Sequence, residues 1–207
     1  GMRLTVFALT SMLSSSQASG TVPTRVPKLL IFDLDACLWT PEMFELDGKP
    51  TVFDAARGGV RAGSDVVRLF PGALAVVRRI WADTDGRYAG CRVAVASSTT
   101  HPAYAHACLD ALVVDADSGT TLGDVVGLYR EIHPGSKGDL HIPSLSEQTS
   151  VPFSEMVFWD DCTYGDNCAD VAGKCAGIVC VRTPRGLTER EFEQGLDAFA
   201  RGASGVL

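Results

Sequence analysis

The chain has 207 residues, of which 46% are hydrophobic, enough to fill the core of a single domain. A net charge of -7 and a pI near 5.0, with no long block of Lys or Arg, exclude a general binder of nucleic acid or anionic membrane. The seven cysteines are odd in number and form no Cys-x-x-Cys pair, which excludes a closed disulfide framework and a zinc site and suits reduced thiols in a cytoplasmic setting.

Residues 1–26 stand apart from the rest. They contain no Asp or Glu, and Arg3 precedes a modestly apolar stretch, 4–13, followed by a Ser-rich run, 14–20. The stretch matches a short secretory signal, while the Ser-rich, acid-free composition suits an organelle transit peptide, so targeting to an organelle or secretion through residues 1–20 is the alternative to a plain tail on a cytoplasmic protein. No other segment approaches the ~20 apolar residues of a membrane span, and no stable membrane insertion is expected.

From residue 27 to 204 short β-type runs alternate with helical segments, the pattern of an α/β domain with a doubly wound, mostly parallel sheet. Residues 28–32 are the first strand. Residues 40–70, with Gly48, Pro50, Gly58, Gly59 and Gly63, have turn composition and no helical period, which predicts a small flap after strand 1. A helix follows, with Pro71 near its start and Leu74, Val77 and Trp81 at helical spacing. Residues 91–96 read as the second strand, 101–109 as a helix, 112–114 as a short third strand and 118–123 as a polar connection. Lys137 opens a helix that Pro143 interrupts. Residues 156–159 and 178–181 are the fourth and fifth strands, with helices at about 167–174 and 188–201. Thr188 and Glu191 have capping-box spacing.

The chemistry is carried by Asp33-Leu34-Asp35, Ser97, Lys137 and Asp160-Asp161, each closing an apolar run or opening a helix. In an open parallel sheet, ligands bind outside the carboxyl ends of the strands, so these residues are expected to share one crevice. Residues two apart in a continuing strand point to one face. One carboxylate of such a pair can form an aspartyl-phosphate while its neighbour gives and takes protons. Asp160 and Asp161 add the hard oxygen ligands that Mg2+ prefers. Ser97 can donate to a phosphate oxygen, and Lys137 can neutralise the transferring group as a point charge. Singly, each has an ordinary explanation, since an acid after a strand often caps a turn and a lysine is usually solvated. The ordered set points to phosphate chemistry.

These motifs, together with Leu38-Trp39, Val67-Arg68-Leu69-Phe70-Pro71, Thr99, the run from Arg130 to Lys137 and Pro152-Phe153-Ser154-Glu155, resemble the haloacid dehalogenase superfamily. Within it the chain is similar to the eukaryotic magnesium-dependent phosphatase and acid phosphatase family over residues 27–202. The resemblance implies a Rossmann-like fold, Asp33 as nucleophile and Asp35 as general acid and base. It implies magnesium held by the Asp33 carboxylate, the Asp35 backbone carbonyl and Asp160, with Asp161 assisting directly or through water. It also implies Ser97 and Lys137 on the phosphoryl group, with Ser98 a further substrate contact. Three departures stand out: Cys37 occupies a usual Thr position, Ser98 a usual Arg position, and the loop 162–166 is about two residues longer than in those relatives. Loss of a guanidinium at Ser98 removes a phosphate or carboxylate contact on the substrate side.

The expected activity is therefore magnesium-dependent hydrolysis of phosphomonoesters through an aspartyl-phosphate, on protein phosphotyrosine or on a phosphorylated sugar or sugar adduct. Two alternatives share the same residues, a receiver-like phosphorylatable signalling domain and a phosphate-binding module without turnover. Motif order separates the receiver, which places its lysine last, whereas here Lys137 precedes Asp160. About 60 residues separate Asp35 from Ser97, and 39 lie between Ser97 and Lys137, too few for a large cap domain beside the core elements.

Overall fold

The computed structural model describes residues 25–207, and the segment read as a tail or targeting sequence lies almost wholly outside them. The chain enters through β1 (Leu29–Phe32), turns back through β2 (Trp39–Thr40) and a single 3-10 turn, Met43–Glu45, and continues through β3 (Pro50–Asp54), β4 (Gly59–Ala62) and β5 (Asp65–Leu69). Next come α1 (Pro71–Ala82), β6 (Arg92–Ser97), α2 (Pro102–Ala111), β7 (Val113–Asp115), β8 (Thr120–Thr121), α3 (Leu122–Val126) and β9 (Arg130–Ile132). A π-helical turn, Lys137–His141, runs into α4 (Ile142–Thr149). The chain closes with β10 (Met156–Asp160), α5 (Asn167–Lys174), β11 (Val179–Arg182), α6 (Glu189–Ala200) and β12 (Gly205–Val206).

Six strands form one sheet in the order β12-β11-β10-β1-β6-β9, every pair parallel. Alternate residues on each strand enter different cores. Leu30, Phe32, Val93, Val95, Val157, Trp159, Val179 and Val181 pack against α1, α2, α3 and α6, whereas Leu29, Ile31, Ala94, Ala96, Met156, Phe158 and Cys180 pack against α4 and α5. This is the doubly wound arrangement, and burial on both faces explains why the strands read as continuous apolar runs rather than as alternating ones. Phe32, Trp159 and Phe192 stack, with centroids of Trp159 5.0 Å from Phe32 and 5.1 Å from Phe192. Gly195 lets α6 approach this stack, since a Cβ there would stand 2.8 Å from Trp159 Cζ2. The stack lies one residue behind Asp33 and Asp160 and stiffens the ends of the two central strands.

The flap predicted for residues 40–70 is a four-stranded antiparallel sheet, β2-β5-β4-β3, anchored by buried Met43, Val60 and Val67. No large cap interrupts the core among the described residues, and none of their helices is long and apolar enough to cross a membrane.

Several elements differ from expectation for identifiable reasons. Residues 112–114 do not join the central sheet; Val113–Asp115 pairs with Thr120–Thr121 in a separate two-stranded ribbon. The third parallel strand is Arg130–Ile132, bonded to β6, whose charged residues hid it from a hydrophobicity pattern. The connection at 118–123 holds β8 and the start of α3, which Thr121 caps. Pro143 does not interrupt a helix: it sits in the first turn of α4, where its missing N–H is not needed. The buried face of α1 is Ala73, Val76, Val77 and Ile80, so of Leu74, Val77 and Trp81, read at helical spacing, only Val77 lies on it and Trp81 is half-exposed. At the other end of the chain, the capping box of Thr188 and Glu191 forms as its spacing predicts.

Candidate active site

β1 ends at Phe32, yet Asp33 still donates its N–H to the Trp159 carbonyl at 2.9 Å, so its side chain stays in register with the end of the sheet. The chain then turns tightly. Ala36 takes a left-handed φ of 56°, Leu38 donates to the Leu34 carbonyl at 2.8 Å, and Asp35 bridges to Trp39. A non-glycine residue in that region costs about 1 kcal/mol, offset here by buried Leu34, Cys37, Leu38 and Trp39. Asp33 and Asp35 thus reach one cavity by way of a turn rather than by a continuing strand.

Lys137, fully buried, places Nζ 2.6 Å from Asp33 Oδ1 and 2.6 Å from Asp160 Oδ2. Asp160 also accepts from Asn167 Nδ2 at 3.0 and 3.3 Å and from the Cys162 N–H at 2.9 Å. Asp161 accepts from the Thr163 N–H at 2.8 Å. Carboxylate oxygens of Asp33, Asp160 and Asp161 all lie within 4.8 Å of one another. Burial pushes the Asp33 carboxyl well above the usual carboxylate range; Lys137 opposes this, while Asp160 and Asp161 reinforce it. Burial alone would lower the Lys137 ammonium, but facing Asp33 and Asp160 outweigh it and hold the lysine above its ordinary value. One lysine does not neutralise three converging carboxylates. The site therefore fits a further small, hard divalent cation, both in charge and in its all-oxygen donor set.

Asp35 accepts from the Trp39 indole N–H at 2.6 Å and also faces the Met43 N–H and the Thr99 hydroxyl. Burial raises its carboxyl above the ordinary value, and these three donors hold the rise in check. Ser97 ends β6; its carbonyl accepts from the His133 N–H at 3.1 Å and from His141 Nε2 at 3.1 Å. That imidazole also donates to the His133 carbonyl at 2.9 Å, tying the Ser97 loop to the loop carrying Lys137. Ser98 donates its hydroxyl to the Gly135 carbonyl at 2.9 Å. Gly135, with φ 138° and Leu140 Cδ1 only 2.6 Å from where a Cβ would stand, is suited to this position as no larger residue is.

The cavity is about 440 Å³, and its wall includes Asp33, Asp35, Ser97, Ser98, Lys137 and Asp161. Asp160 sits behind that wall, fully buried. All seven residues expected from sequence are thus brought together. Sequence reasoning missed Glu42, Phe44, Thr100, Tyr164 and Asn167, which also line the cavity. Asn167 was discoverable, as the first residue of a helix seven positions after Asp160; Glu42 and Phe44 carried no signal, because their flap has no periodicity. Cys37 is buried, takes a hydrogen bond from the Thr183 hydroxyl at 3.4 Å and lies 3.6 Å from the Trp159 carbonyl. Burial, and then the charge of Asp33, push its thiol well above the usual range, the opposite of a reactive cysteine.

Comparison with known proteins bears on this geometry. The chain is 33% identical over 187 residues to human Magnesium-dependent phosphatase 1, covering 88% of this chain and 93% of that protein. Among solved structures, it is similar to the N-terminal part of a Bacteroides fragilis protein containing a phosphatase domain complexed with Mg. That match has 16% identity and a TM-score of 0.48, and covers 86% of this chain and 39% of the other. CbbY from Rhodobacter sphaeroides, in complex with xylulose-1,5-bisphosphate, gives 16% identity over 88% of this chain and 94% of that one, with a TM-score of 0.49. The family profile described as Acid Phosphatase matches residues 25–202, a span that begins before β1, ends after α6 and holds every residue of the cavity wall, and the chain belongs to that family.

Proposed function

We propose that the protein is a magnesium-dependent phosphatase that hydrolyses phosphomonoesters through an aspartyl-phosphate on Asp33, acting on protein phosphotyrosine or on a phosphorylated sugar or sugar adduct. The observation that carries the proposal is the convergence on one cavity of a two-carboxylate turn, a hydroxyl, a buried lysine and a second acid pair. The human relative's magnesium dependence supports it.

Asp33 attacks phosphorus, forming a new P–O bond as the bond to the leaving oxygen breaks. Asp35 gives that oxygen its proton. A water molecule then attacks phosphorus, Asp35 takes its proton, and the bond to Asp33 breaks, restoring the carboxylate and releasing inorganic phosphate. The Ser97 hydroxyl and the Lys137 ammonium hold the phosphoryl oxygens, and Lys137 offsets the charge they gather. Asp33, the Asp35 carbonyl and Asp160 would hold magnesium, with Asp161 assisting directly or through water. When bound, the ion screens the phosphoryl group from the carboxylates so that like charges can approach.

Phosphate release from a phosphopeptide, a folded phosphoprotein and a phosphosugar, with and without exhaustive chelation, tests the proposal. Activity is expected to vanish on chelation and return with magnesium, with calcium a poor substitute because it favours more ligands and longer bonds. Full activity after chelation would refute it.

A further inference from the structure

The cavity mouth has a composition that the phosphoryl chemistry does not require. Phe44 and Tyr164 are 52% and 74% exposed, although large apolar rings are usually covered. They meet edge to face, with centroids 6.0 Å apart and planes at 78°, and both line the cavity. Each ring stands on a fixed support. Phe44 follows buried Met43 in a turn closed by the Glu45 carboxylate, which accepts from the Glu42 N–H at 2.9 Å, and by the Glu45 N–H, which donates to the Glu42 carbonyl at 3.0 Å. Tyr164 rides the loop whose N–H groups bond to Asp160 and Asp161, and that loop ends at Asp166, which caps α5 and pairs with Arg182. Rings held this way lose little freedom when a ligand arrives.

Charge at the mouth is one-sided. Among the described residues, the only cation lining the cavity is Lys137, on the floor and already engaged by Asp33 and Asp160. The mouth itself carries Glu42, which accepts from the Tyr164 hydroxyl at 3.4 Å, and neutral Ser98 and Thr100. A phosphate or carboxylate on the leaving group would meet Glu42 and, among the described residues lining the cavity, no free compensating cation.

We infer that Glu42, Phe44 and Tyr164 form a leaving-group subsite that grips the ring of an aryl phosphate and turns away leaving groups carrying a second anion. The inference rests on the phosphatase function proposed above. A third ring can pack edge-to-face or offset against the exposed surface of this pair without parting it. Positive charge beside that ring is favoured twice, by the aromatic faces and by Glu42.

The test measures kcat/KM with magnesium for phenyl phosphate, 4-carboxyphenyl phosphate and glycerol 3-phosphate, in the wild type and in Phe44→Ala, Tyr164→Ala and Glu42→Gln, with circular dichroism confirming each fold. Ratios between substrates are read, because they cancel any general loss. Phe44→Ala and Tyr164→Ala are each expected to lower the phenyl-to-glycerol ratio about three- to tenfold, mainly through KM. Glu42→Gln is expected to raise the carboxyphenyl-to-phenyl ratio about fivefold. If Phe44→Ala does not fold, Phe44→Leu keeps the bulk and loses the ring. Ratios that stay constant while the wild type is active overturn the subsite alone. A wild type that releases phosphate from none of the three substrates overturns the phosphatase proposal and the subsite with it.

Discussion

Asn167, the first residue of α5, donates its amide to both oxygens of Asp160, at 3.0 and 3.3 Å. With Lys137 Nζ and the Cys162 N–H, this fixes the rotation of a carboxylate that has no contact with solvent. A ligand so held is presented to a metal in one orientation, and loss of such support typically weakens metal affinity 10- to 100-fold. Asn167→Ala is therefore expected to raise the magnesium concentration for half-maximal activity at least about tenfold. Asp160→Ala should raise it more, and more than Asp161→Ala. An unchanged magnesium requirement in Asn167→Ala would remove the supporting role.

Asp33→Asn should abolish turnover while leaving the fold intact, because an amide does not form the acyl-phosphate and yet fills the same space. Asp35→Asn should behave differently. With a good leaving group the phosphorylated enzyme should still form, and its hydrolysis should slow by roughly the 10²- to 10⁴-fold of a lost acid/base group. Rapid quench with a 32P-labelled substrate separates the two variants. Near-normal turnover in Asp33→Asn would sink the mechanism.

The candidate catalytic set was legible in the sequence because each member ends a buried strand or opens a helix, and burial on both sheet faces writes β1, β6, β10 and β11 as apolar runs. The third strand of the sheet was not legible. β9 is Arg130–Ile132, and its glutamate bonds to Ser144 and His133 rather than to anything apolar. Nor was the geometry of Asp35 legible. Its approach to the cavity depends on the left-handed Ala36, and nothing in an alanine announces that conformation. Residues 40–70 read correctly as a flap because turn composition is local, but the rings and acid it brings to the cavity depend on how it docks, which is a tertiary fact.

Replacing Lys137 with Met keeps most of its volume and removes its charge. Asp33 and Asp160 would then face each other without a counterion in a buried site. Breaking a buried ion pair from one side typically costs about 3–5 kcal/mol. In chelator, Lys137→Met should therefore lower the urea midpoint markedly, and magnesium should restore more stability to the variant than to the wild type. An unchanged midpoint in chelator would mean that Lys137 does not balance these acids.

His133 Nε2 lies 2.9 Å from Glu131 Oε2, and the hydrogen bond to that carboxylate raises the imidazole above its ordinary value. The other ionisable group against it is His141, stacked at 4.1 Å between ring centroids. Because the folded value lies above the unfolded ~6.5, the protonated ring is favoured on folding. The stability it contributes is fully present below pH ~6.5 and is lost as pH rises through the raised folded value. The His133 side chain is 41% exposed, so solvent screening keeps the effect to about 0.5 kcal/mol or less. NMR titration of His133 should give a midpoint above ~6.5 that falls in Glu131→Gln. The thermal midpoint of the wild type should lose a small increment, relative to that variant, as pH rises through that range. A midpoint at or below ~6.5, or one that ignores Glu131→Gln, would show that the pair does not form in solution.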